Sequence, residues 1–366
     1  MLLAHKIEIR PTKEQEEKLL QWVGTARHCY NNLLAHFSQD GVKWSKKEAR
    51  QFFYNTLRVE NTWYTETSQD LQQSVIDDLD CAYKNFFKTK KGYPKFHKRG
   101  IKDSFSIRSK IKFKVVGNKL FIEKFNKGKN GIPLKLREKL SFTGVPKQVT
   151  ISTKAGKWFA SILVEVEQGY NCKQPKDNTS VGMDLGIKTL VTTSDGQSIG
   201  KSNKLSKQLN KLAKLQQRMA KQEKGSNRRA KTKQKIQKLY YYVSCQKKAL
   251  LHSVSDYLTY EYKTICMEDL DVNGMLEKGN KNLSRMIADV GFYELRRQIE
   301  YKSFLRGGSV KFVDRYFPSS KMCSCCGIIK EDLKLSDRKY QCSCGLVIDR
   351  DLNAAINILN EGLKSK

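Results

Sequence analysis

The sequence predicts a multidomain α/β protein, in which a small β-barrel that carries a helical insert precedes a domain of strands, helices and an inserted cysteine-rich segment. Three observations lead to this prediction. Short strands of alternating apolar residues cluster before residue 170, single acidic residues stand in apolar segments after residue 180, and five of the ten cysteines fall within residues 323–344. A chain of 366 residues is long enough for two or three domains with a large core.

The charge of the chain indicates its partner. Lysine and arginine number 69 against 37 acidic residues, which gives a net charge of +32. Such an excess repels itself unless a polyanion neutralises it, and we expect that polyanion to be nucleic acid rather than a small substrate. A basic protein with no such partner is the alternative.

The compartment is predicted from what the chain lacks. The opening Met-Leu-Leu-Ala-His-Lys is too short for a signal sequence, and no apolar run approaches the roughly 20 residues of a membrane span. The cysteines outside residues 323–344 are scattered, which fits a reducing compartment better than a disulfide framework. We therefore expect a cytoplasmic protein with no membrane partner.

Residues 1–10 and 11–99 are predicted to be a first strand and a helical insert. The strand runs from Leu2 to Ile9, and Thr12 is a suitable N-cap for the helix that follows. A second helical stretch is expected through Tyr30 and Leu34, because apolar residues recur at helical spacing there. More helix is expected between about residues 45 and 90.

Residues 81–120 combine 13 lysines or arginines with one acid, and aromatic residues are interleaved among them. Cations for phosphates and rings for bases are what a nucleic-acid groove needs. A solvated basic loop with some core aromatics is the alternative. The aromatic residues are Phe86, Phe87, Tyr93, Phe96 and Phe105.

Residues 100–170 are predicted to complete the β-barrel. Five segments between residues 104 and 169 alternate or run apolar, and Gly117-Asn118 and Ala155-Gly156 suit hairpin turns. Several short strands at this spacing suggest a small barrel, closed with the first strand. Residues 171–179 are polar and are interpreted as a linker.

A very basic helical hairpin is predicted at residues 201–260. Residues 201–250 hold 16 lysines or arginines and one acid, Glu223, and apolar stripes at helical spacing lie on either side of Gly225-Ser226-Asn227. Because an ordinary solvated face usually carries both signs of charge, we expect this hairpin to contact nucleic acid.

Three acidic residues occupy separate apolar settings. Asp184 lies at the middle of a predicted strand over residues 180–193, Glu268 ends the next core strand, and Asp351 opens the last helix. Such carboxylates are costly to bury, and brought together they would repel one another unless a cation lies between them. Oxygen ligands of this kind suit Mg²⁺ or Mn²⁺.

One acid on each of two strands and one on the final helix is the layout of a ribonuclease-H-like fold, in which the acids hold two divalent ions that activate water. Two assignments stay open from the residues alone. Asp349 competes with Asp351, which could instead cap its helix. Asp269 and Asp271 follow Glu268, so the register of the second acid is not fixed.

The cysteine-rich segment has the spacing of a metal site. Cys323 and Cys326 form one pair, and Cys342 and Cys344 follow after 15 intervening residues. Two such pairs indicate a four-thiolate zinc ribbon, although the second has one intervening residue instead of two. Cys325 is a further thiol that could replace a neighbour. A ribbon has too little core to fold unaided, so the zinc is predicted to be structural.

These motifs resemble the TnpB family, the transposon-encoded OrfB-type proteins related to type V CRISPR effectors. The resemblance spans nearly the whole chain and is most specific near the C-terminus. It rests on Ile7-Glu-Ile-Arg-Pro-Thr-Lys-Glu-Gln, Gly92-Tyr-Pro-Lys-Phe96, Gln148-Val-Thr-Ile, Asp184-Leu-Gly-Ile-Lys, Glu268-Asp-Leu, Pro318-Ser-Ser-Lys321, the Cys-x-x-Cys-Gly ribbon and Asp349-Arg-Asp-Leu-Asn-Ala-Ala-Ile-Asn-Ile358.

The resemblance implies a wedge-type β-barrel with a helical recognition insert, followed by a RuvC-like nuclease domain over residues 180–366 with the zinc ribbon at 318–347. It implies that the catalytic acids are Asp184, Glu268 and Asp351. Asp351 is preferred to Asp349 because the family's acid stands two residues before an asparagine, here Asn353.

The function implied is RNA-guided cleavage of double-stranded DNA beside a short motif, by a bacterial or archaeal nucleoid-associated ribonucleoprotein with one chain on one guide RNA from the transposon end. Asp184 would bridge two Mg²⁺ ions, Glu268 would bind one and Asp351 the other. One alternative is a nuclease-inactive RNA-guided repressor, whose relatives lose acids of the triad. Another is a transposase or transposition accessory protein, but the five histidines include no H-x-H pair for a transposase metal site.

Overall fold

The computed structural model describes the chain in two compact units, residues 1–170 and 171–366, and each is treated by itself. The described residues are 2–89, 92–101, 103–125, 132–141, 143–166, 173–176, 178–187, 189–200, 203–271, 274, 291–333 and 337–364. Cys172 and parts of the predicted linker lie outside them. No helix within these ranges is both long and apolar enough to cross a membrane.

The first unit begins with a strand, continues through helices and ends in strands. Its elements are β1 (Leu2–Ile9), α1 (Lys13–Phe37), α2 (Lys46–Phe52), a π-helical turn (Phe53–Leu57), a short helix (Arg58–Glu60), a 3-10 helix (Thr62–Glu66), α3 (Gln69–Thr89), β2 (Ser104–Ile107), β3 (Phe113–Val116), β4 (Lys119–Ile122), β5 (Leu134–Lys135), β6 (Val145–Lys154) and β7 (Lys157–Glu165).

Helix α1 starts where the sequence predicts. The Thr12 hydroxyl accepts a hydrogen bond from the amide of Gln15, whose side chain bonds back to the Thr12 amide, which is a capping box. The prediction of two helical stretches is wrong, because α1 is a single helix to Phe37. Gly24 lowers helix propensity by only about 1 kcal/mol, and burial of side chains such as Trp22 on its inner face outweighs this.

The strands of the first unit form two sheets that share one core. One sheet has the order β1-β7-β6-β2, and the other has the order β3-β4-β5. Gly117 and Gly156 have positive φ at the two predicted hairpin turns, which are confirmed. The end of β1 also bridges to Leu136, beyond β5. Closure of these strands into a complete barrel stays a prediction.

The second unit is a mixed sheet with helices and a small two-stranded sheet. Its elements are β8 (Ser180–Asp184), β9 (Thr189–Thr193), β10 (Ser198–Gly200), α4 (Asn203–Ala220), α5 (Asn227–Glu261), β11 (Thr264–Glu268), α6 (Phe292–Leu305), β12 (Ser309–Val313), β13 (Lys339–Gln341), β14 (Val347–Asp349) and α7 (Arg350–Lys364). The large sheet has the order β10-β9-β8-β11-β12.

The predicted strand over residues 180–193 is wrong, because the chain turns back within it. Strand β8 ends at Asp184, and β9 returns antiparallel beside it, with Asp184 opposite Thr192. Gly186 lies in the turn, where a Cβ atom would be 2.6 Å from the Thr189 carbonyl oxygen. Asp184 is therefore at the end of a core strand rather than at its middle. The predicted strand that ends at Glu268 is confirmed as β11, and both β11 and β12 run parallel to β8.

The predicted helical hairpin is confirmed as α4 and α5. The Arg229 guanidinium donates to the carbonyl oxygens of Met219 and Gln222 at 2.6 and 2.7 Å, which caps the end of α4. Gln216 also donates to the Tyr240 hydroxyl across the pair, at 2.7 Å. The later half of α5 contributes Leu258 and its neighbours to the sheet core.

Helix α7 lies unusually close to the sheet. A Cβ atom at Gly182 in β8 would overlap the Ala355 carbonyl oxygen and lie 2.5 Å from the Leu359 amide nitrogen. At the far end of the helix, a Cβ atom at Gly362 would lie 2.6 Å from the Cys266 sulfur in β11. At Gly182 backbone is therefore in contact with backbone, and at Gly362 the helix backbone is in contact with the Cys266 side chain, which only glycine permits at these positions.

We expect Gly182→Ala to destabilise the second unit, by about 3 kcal/mol at the upper end of the overpacking range, because the atoms it meets are backbone and cannot rotate away. Gly200→Ala is the matched control, since none of the residues that the structure describes has an atom within 4 Å of a Cβ atom there. Urea unfolding of both variants measures the difference, and equal midpoints would contradict the close packing of α7.

Candidate functional site

Two of the predicted acids end neighbouring parallel strands. Met183 in β8 is paired with Met267 in β11, so the next residues, Asp184 and Glu268, extend from the same edge of the sheet. The carboxyl ends of parallel strands are where open α/β sheets bind ligands. Both strands are apolar and buried up to these residues.

The third acid reaches the same edge from α7. Ala355 of this helix packs on Gly182, and Asp351 lies one turn before Ala355, in the direction of the Asp184 end of β8. The carboxylate of Asp351 is close enough to Asp184 for its charge to raise the pKa of Asp184. The structure therefore brings the three predicted acids to one region.

The electrostatics of this region oppose ionisation. Burial raises the pKa of Asp184 from 3.8 to about 7, and the negative charges of Glu268 and Asp351 add to the effect. Arg350 acts in the opposite direction but does not compensate. Burial also raises the pKa of Glu268, while a hydrogen bond from Ser319 lowers it. A cation among these carboxylates would offset the repulsion.

Asp349, the competing candidate for the third acid, forms hydrogen bonds at the start of α7. Its Oδ1 atom accepts hydrogen bonds from the amides of Asp351 and Leu352, at 2.9 and 3.2 Å, at the start of α7. Asp349 is therefore the residue that caps this helix. The Asp351 side chain is not used as the cap and has Arg350 as its neighbour at 3.5 Å.

The acidic residues that follow Glu268 lie beside arginine side chains. Asp269 forms ion pairs with Arg296 and with Arg315, and Asp271 lies 3.6 Å from Arg315. Glu268 instead accepts a hydrogen bond from the Ser319 hydroxyl. A cleft of about 390 Å³ adjoins Glu268 on the side of these ion pairs. Contacts therefore distinguish Glu268 from the acids that follow it.

The donor atoms suit a hard divalent cation. All three side chains offer carboxylate oxygens, which Mg²⁺ and Mn²⁺ prefer. In the described part of the chain, the carboxylates do not form a group with all ligand atoms within 4.8 Å of one another. Two ions about 4 Å apart can be shared by acids that are more widely spaced than the ligands of one ion.

The four predicted zinc ligands do form such a group. Their sulfur atoms all lie within 4.8 Å of one another, with Cys323 and Cys344 at 3.7 Å and Cys326 and Cys342 at 3.5 Å. Zn–S bonds of about 2.3 Å in a tetrahedron place the sulfurs roughly 3.8 Å apart. The site can therefore hold a structural metal such as zinc. Cys325 is exposed and lies outside the group.

Both cysteine loops have the same backbone design despite their different spacing. Gly327 and Gly345 follow the pairs with φ of 77° and 94°. The Cys323 amide donates to the Ile328 carbonyl, and the Cys342 amide donates to the Leu346 carbonyl, both at 2.9 Å. Hydrogen bonding by the Cys344 backbone lowers the pKa of Cys342 to about 6, whereas the pKa values of Cys326 and Cys344 are raised, so Cys342 is the first of these three to reach the thiolate form that metals bind.

Sequence reasoning missed the role of two buried asparagines on α7. Asn353 and Asn357 both donate to the Met322 carbonyl at 2.7 Å, and the Ser324 amide donates to Asn353 at 3.0 Å. They fasten the first cysteine loop to the helix that carries Asp351. The available signal was a pair of amides four residues apart on an otherwise apolar helix face.

The predicted aromatic groove in the first unit needs one correction. Phe87, Tyr93 and Phe96 are exposed, as a stacking surface requires. Phe105 is instead buried in the core, with its ring centroid 5.4 Å from that of Trp22. The reason is that Phe105 lies on β2, which packs against α1 and α3.

Comparisons with known proteins agree with these motifs. Residues 161–279 match the OrfB family of IS605, described as “Probable transposase”, and residues 292–358 match a “Cas12f1-like, TNB domain”. Residues 1–39 match a “Helix-turn-helix domain”, although residues 2–37 of the structure are one strand and one helix.

Relatives of similar length match across nearly the whole chain. The “Putative RNA-guided DNA endonuclease InsQ” of Escherichia coli strain K12 is 32% identical, covering 99% of this chain and 92% of its own. A “Putative RNA-guided DNA endonuclease” of Streptomyces pristinaespiralis is 32% identical, covering 98% and 89%. The solved structure of “the mini-RNA-guided endonuclease CRISPR-Cas_phi3” has a TM-score of 0.47 at 11% identity, covering 99% and 92%. From the sequence identity and its coverage, the chain belongs to the TnpB family, the OrfB proteins of IS605-type elements.

Proposed function

We propose that the protein is an RNA-guided endonuclease that hydrolyses double-stranded target DNA beside a short motif, in a single RuvC-like site of the ribonuclease-H type. The observation that carries the proposal is the meeting of Asp184, Glu268 and Asp351 at one sheet edge, from two strands and a helix. The names of the full-length relatives support the same activity.

The carboxylates of Asp184, Glu268 and Asp351 would hold the proposed Mg²⁺ or Mn²⁺ ions. Bound divalent ions supply an activated water and stabilise the leaving oxygen of the phosphodiester. The chain itself orients the ligands through the rigid ends of β8 and β11 and the capped start of α7. The raised pKa of Asp184 means that its charged form is unfavourable when no cation is bound. A bound cation would stabilise that charged form.

The remaining parts are proposed to hold guide RNA and target DNA. Residues 1–10 and 100–170 would be the wedge-type barrel, 11–99 the recognition insert, 171–179 a linker and 180–366 the nuclease domain with its ribbon at 318–347. The basic hairpin at residues 201–260 and the exposed Phe87, Tyr93 and Phe96 would contact phosphates and bases. Base pairing with the guide would read the target sequence, in a complex of one chain and one RNA.

The proposal predicts that Asp184→Ala abolishes cleavage of guide-matched DNA and leaves RNA and DNA binding intact, because the loss removes a cation ligand and no binding surface. Cleavage gels and filter binding with the purified ribonucleoprotein measure the two properties. Retained cleavage would refute the assignment. A parent protein that binds guided DNA but does not cut it in Mg²⁺ would indicate a repressor.

The two candidate acids on α7 can be separated by matched substitutions. Asp351→Asn is expected to lower the cleavage rate at least about 100-fold, as loss of one cation ligand or its support typically does. Asp349→Asn should cleave at close to the parent rate, because asparagine is an equally good N-cap. The reverse order of rates would move the third acid to Asp349.

The raised pKa of Asp184 also predicts a pH-dependent stability. The Asp184 carboxyl has a pKa of about 7 in the folded state and 3.8 in the unfolded chain, so the folded state binds this proton more tightly. Protonation of Asp184 therefore stabilises the fold fully below pH 4, and this stabilisation is lost as the pH rises to 7. Without divalent cations at pH 8, Asp184→Asn should therefore be more stable than the parent by on the order of 1–2 kcal/mol, discounted for partial exposure.

The measurement is urea unfolding at pH 5 and pH 8 in buffer free of added divalent cations. The advantage of Asp184→Asn should be much smaller at pH 5. Added Mn²⁺ should stabilise the parent at pH 8 and have little effect on the variant. If Asp184→Asn is more stable than the parent by the same amount at both pH values, the pKa of Asp184 is not raised in the folded protein.

The thiolate group predicts zinc in the purified protein. Cys326→Ser should lose the metal and lower the thermal midpoint, because the ribbon has little apolar core of its own. Cys325→Ser is the matched control and should keep both the zinc and the midpoint, since Cys325 lies outside the group. Metal analysis and thermal scans test this, and zinc loss from Cys325→Ser would mean that the ligand set is different.

A further inference from the structure

We propose that Ser319 is a positioning residue for Glu268, so that the segment leading into the cysteine loops directly supports the carboxylate centre. The inference rests on the proposed function in one respect, which is that Glu268 is a cation ligand. It adds a residue from outside the acidic triad and a physical connection between the two metal sites.

The contact itself is a charge-assisted hydrogen bond. The Ser319 hydroxyl donates to Oε1 of Glu268, and Ser319 is 5% exposed. Oε2 has no hydrogen-bond partner within the described residues. A carboxylate with one oxygen fixed by a donor keeps lone pairs on both oxygens and has a set orientation, which is how groups behind metal ligands raise affinity.

The backbone amide and the backbone carbonyl of Ser319 both form hydrogen bonds. Its amide donates to the Phe317 carbonyl at 2.8 Å, and its carbonyl accepts from the Asn357 side chain at 2.8 Å. Asn357 is 1% exposed and binds the Met322 carbonyl as well. The direction of the Ser319 hydroxyl is therefore set by a fixed segment, as pre-organised sites require.

The same contacts join the two proposed metal sites. Asn357 and Asn353 lie on α7, the helix that begins beside Asp351. Asn353 binds the backbone on both sides of Cys323, at Met322 and Ser324. One buried pair of amides thus fastens the thiolate loop, the Ser319 segment and the helix of the third acid together.

The neighbouring serine provides a control. Ser320 has no hydrogen-bond partner among the residues that the structure describes. If Ser319 served only to fill space, removal of its hydroxyl would change stability without changing cation affinity. If it positions Glu268, cation affinity changes with the hydroxyl and not with side-chain size.

The experiment is a Mn²⁺ titration of the full-length, zinc-loaded protein at fixed pH, in which free Mn²⁺ is followed by its electron paramagnetic resonance signal. The difference in bound Mn²⁺ between the parent and Asp184→Ala measures the Mn²⁺ that binds at the carboxylate centre. Ser319→Ala is expected to raise the half-saturating Mn²⁺ concentration by about 10- to 100-fold. Ser320→Ala should leave it unchanged.

A second pair of variants holds shape constant. Ser319→Thr keeps the hydroxyl and Ser319→Val replaces it with a methyl group, so the two have nearly the same volume and differ in the donor. The threonine variant should bind Mn²⁺ like the parent and the valine variant like Ser319→Ala. This pair decides the question if the alanine variant fails to fold, as judged by zinc content and circular dichroism.

Guided cleavage gives an independent readout. Ser319→Ala should need about 10- to 100-fold more Mn²⁺ for half-maximal rate, with much of the rate restored at saturating Mn²⁺ and DNA binding unchanged. Equal Mn²⁺ affinity in Ser319→Ala and parent, equal loss in the threonine and valine variants, or no Mn²⁺ bound through Asp184 would each overturn the inference. A parent that does not cleave guided DNA refutes the proposed function instead, while the titration still decides the role of Ser319.

Discussion

The approach of α7 to the sheet, backbone against backbone, is the constraint on which the second unit depends. Glycines at positions 182 and 362 remove the side chains that would hold the helix away from β8 and β11. The helix can then present Asp351 to the strand ends and its asparagines to the first cysteine loop. Because these contacts all come from one 15-residue element, the carboxylate region and the thiolate group share a single support.

Electrostatic repulsion among the acids at the strand ends is only partly offset by nearby cations. Arg350 lies 3.5 Å from Asp351 and lowers the pKa of Asp184, but burial and the two other acids outweigh it. Arg296 and Arg315 form ion pairs with Asp269 instead. The carboxyl of Asp184 is consequently left in a buried environment with two other acids and a pKa near 7. Buried like charges that neighbouring cations offset only in part are more typical of a site for a ligand than of a stable core. This arrangement is the physical basis for the cation that we propose.

Local sequence patterns predicted those features that depend on local chemistry. The bounds of β1, the Thr12 cap and the glycine turns follow from alternation, capping and turn preferences. The hairpin that ends β8 at Asp184 was missed, because an apolar run across a turn has the same composition as one long strand. The asparagine contacts and the Ser319 bond were missed as well, since they join residues 29 to 51 positions apart, which no local pattern records.

The α4–α5 hairpin reaches the sheet core through the later half of α5. Leu258 and its neighbours pack in that core, whereas at the opposite end no described residue has an atom within 4 Å of a Cβ position at Gly225. Exposed turns of this kind are the places where proteins tolerate added chain. The turn at residues 221–226 is therefore a natural position for length variation during evolution, and for a fused reporter domain in engineering, since an insertion there leaves every strand register unchanged.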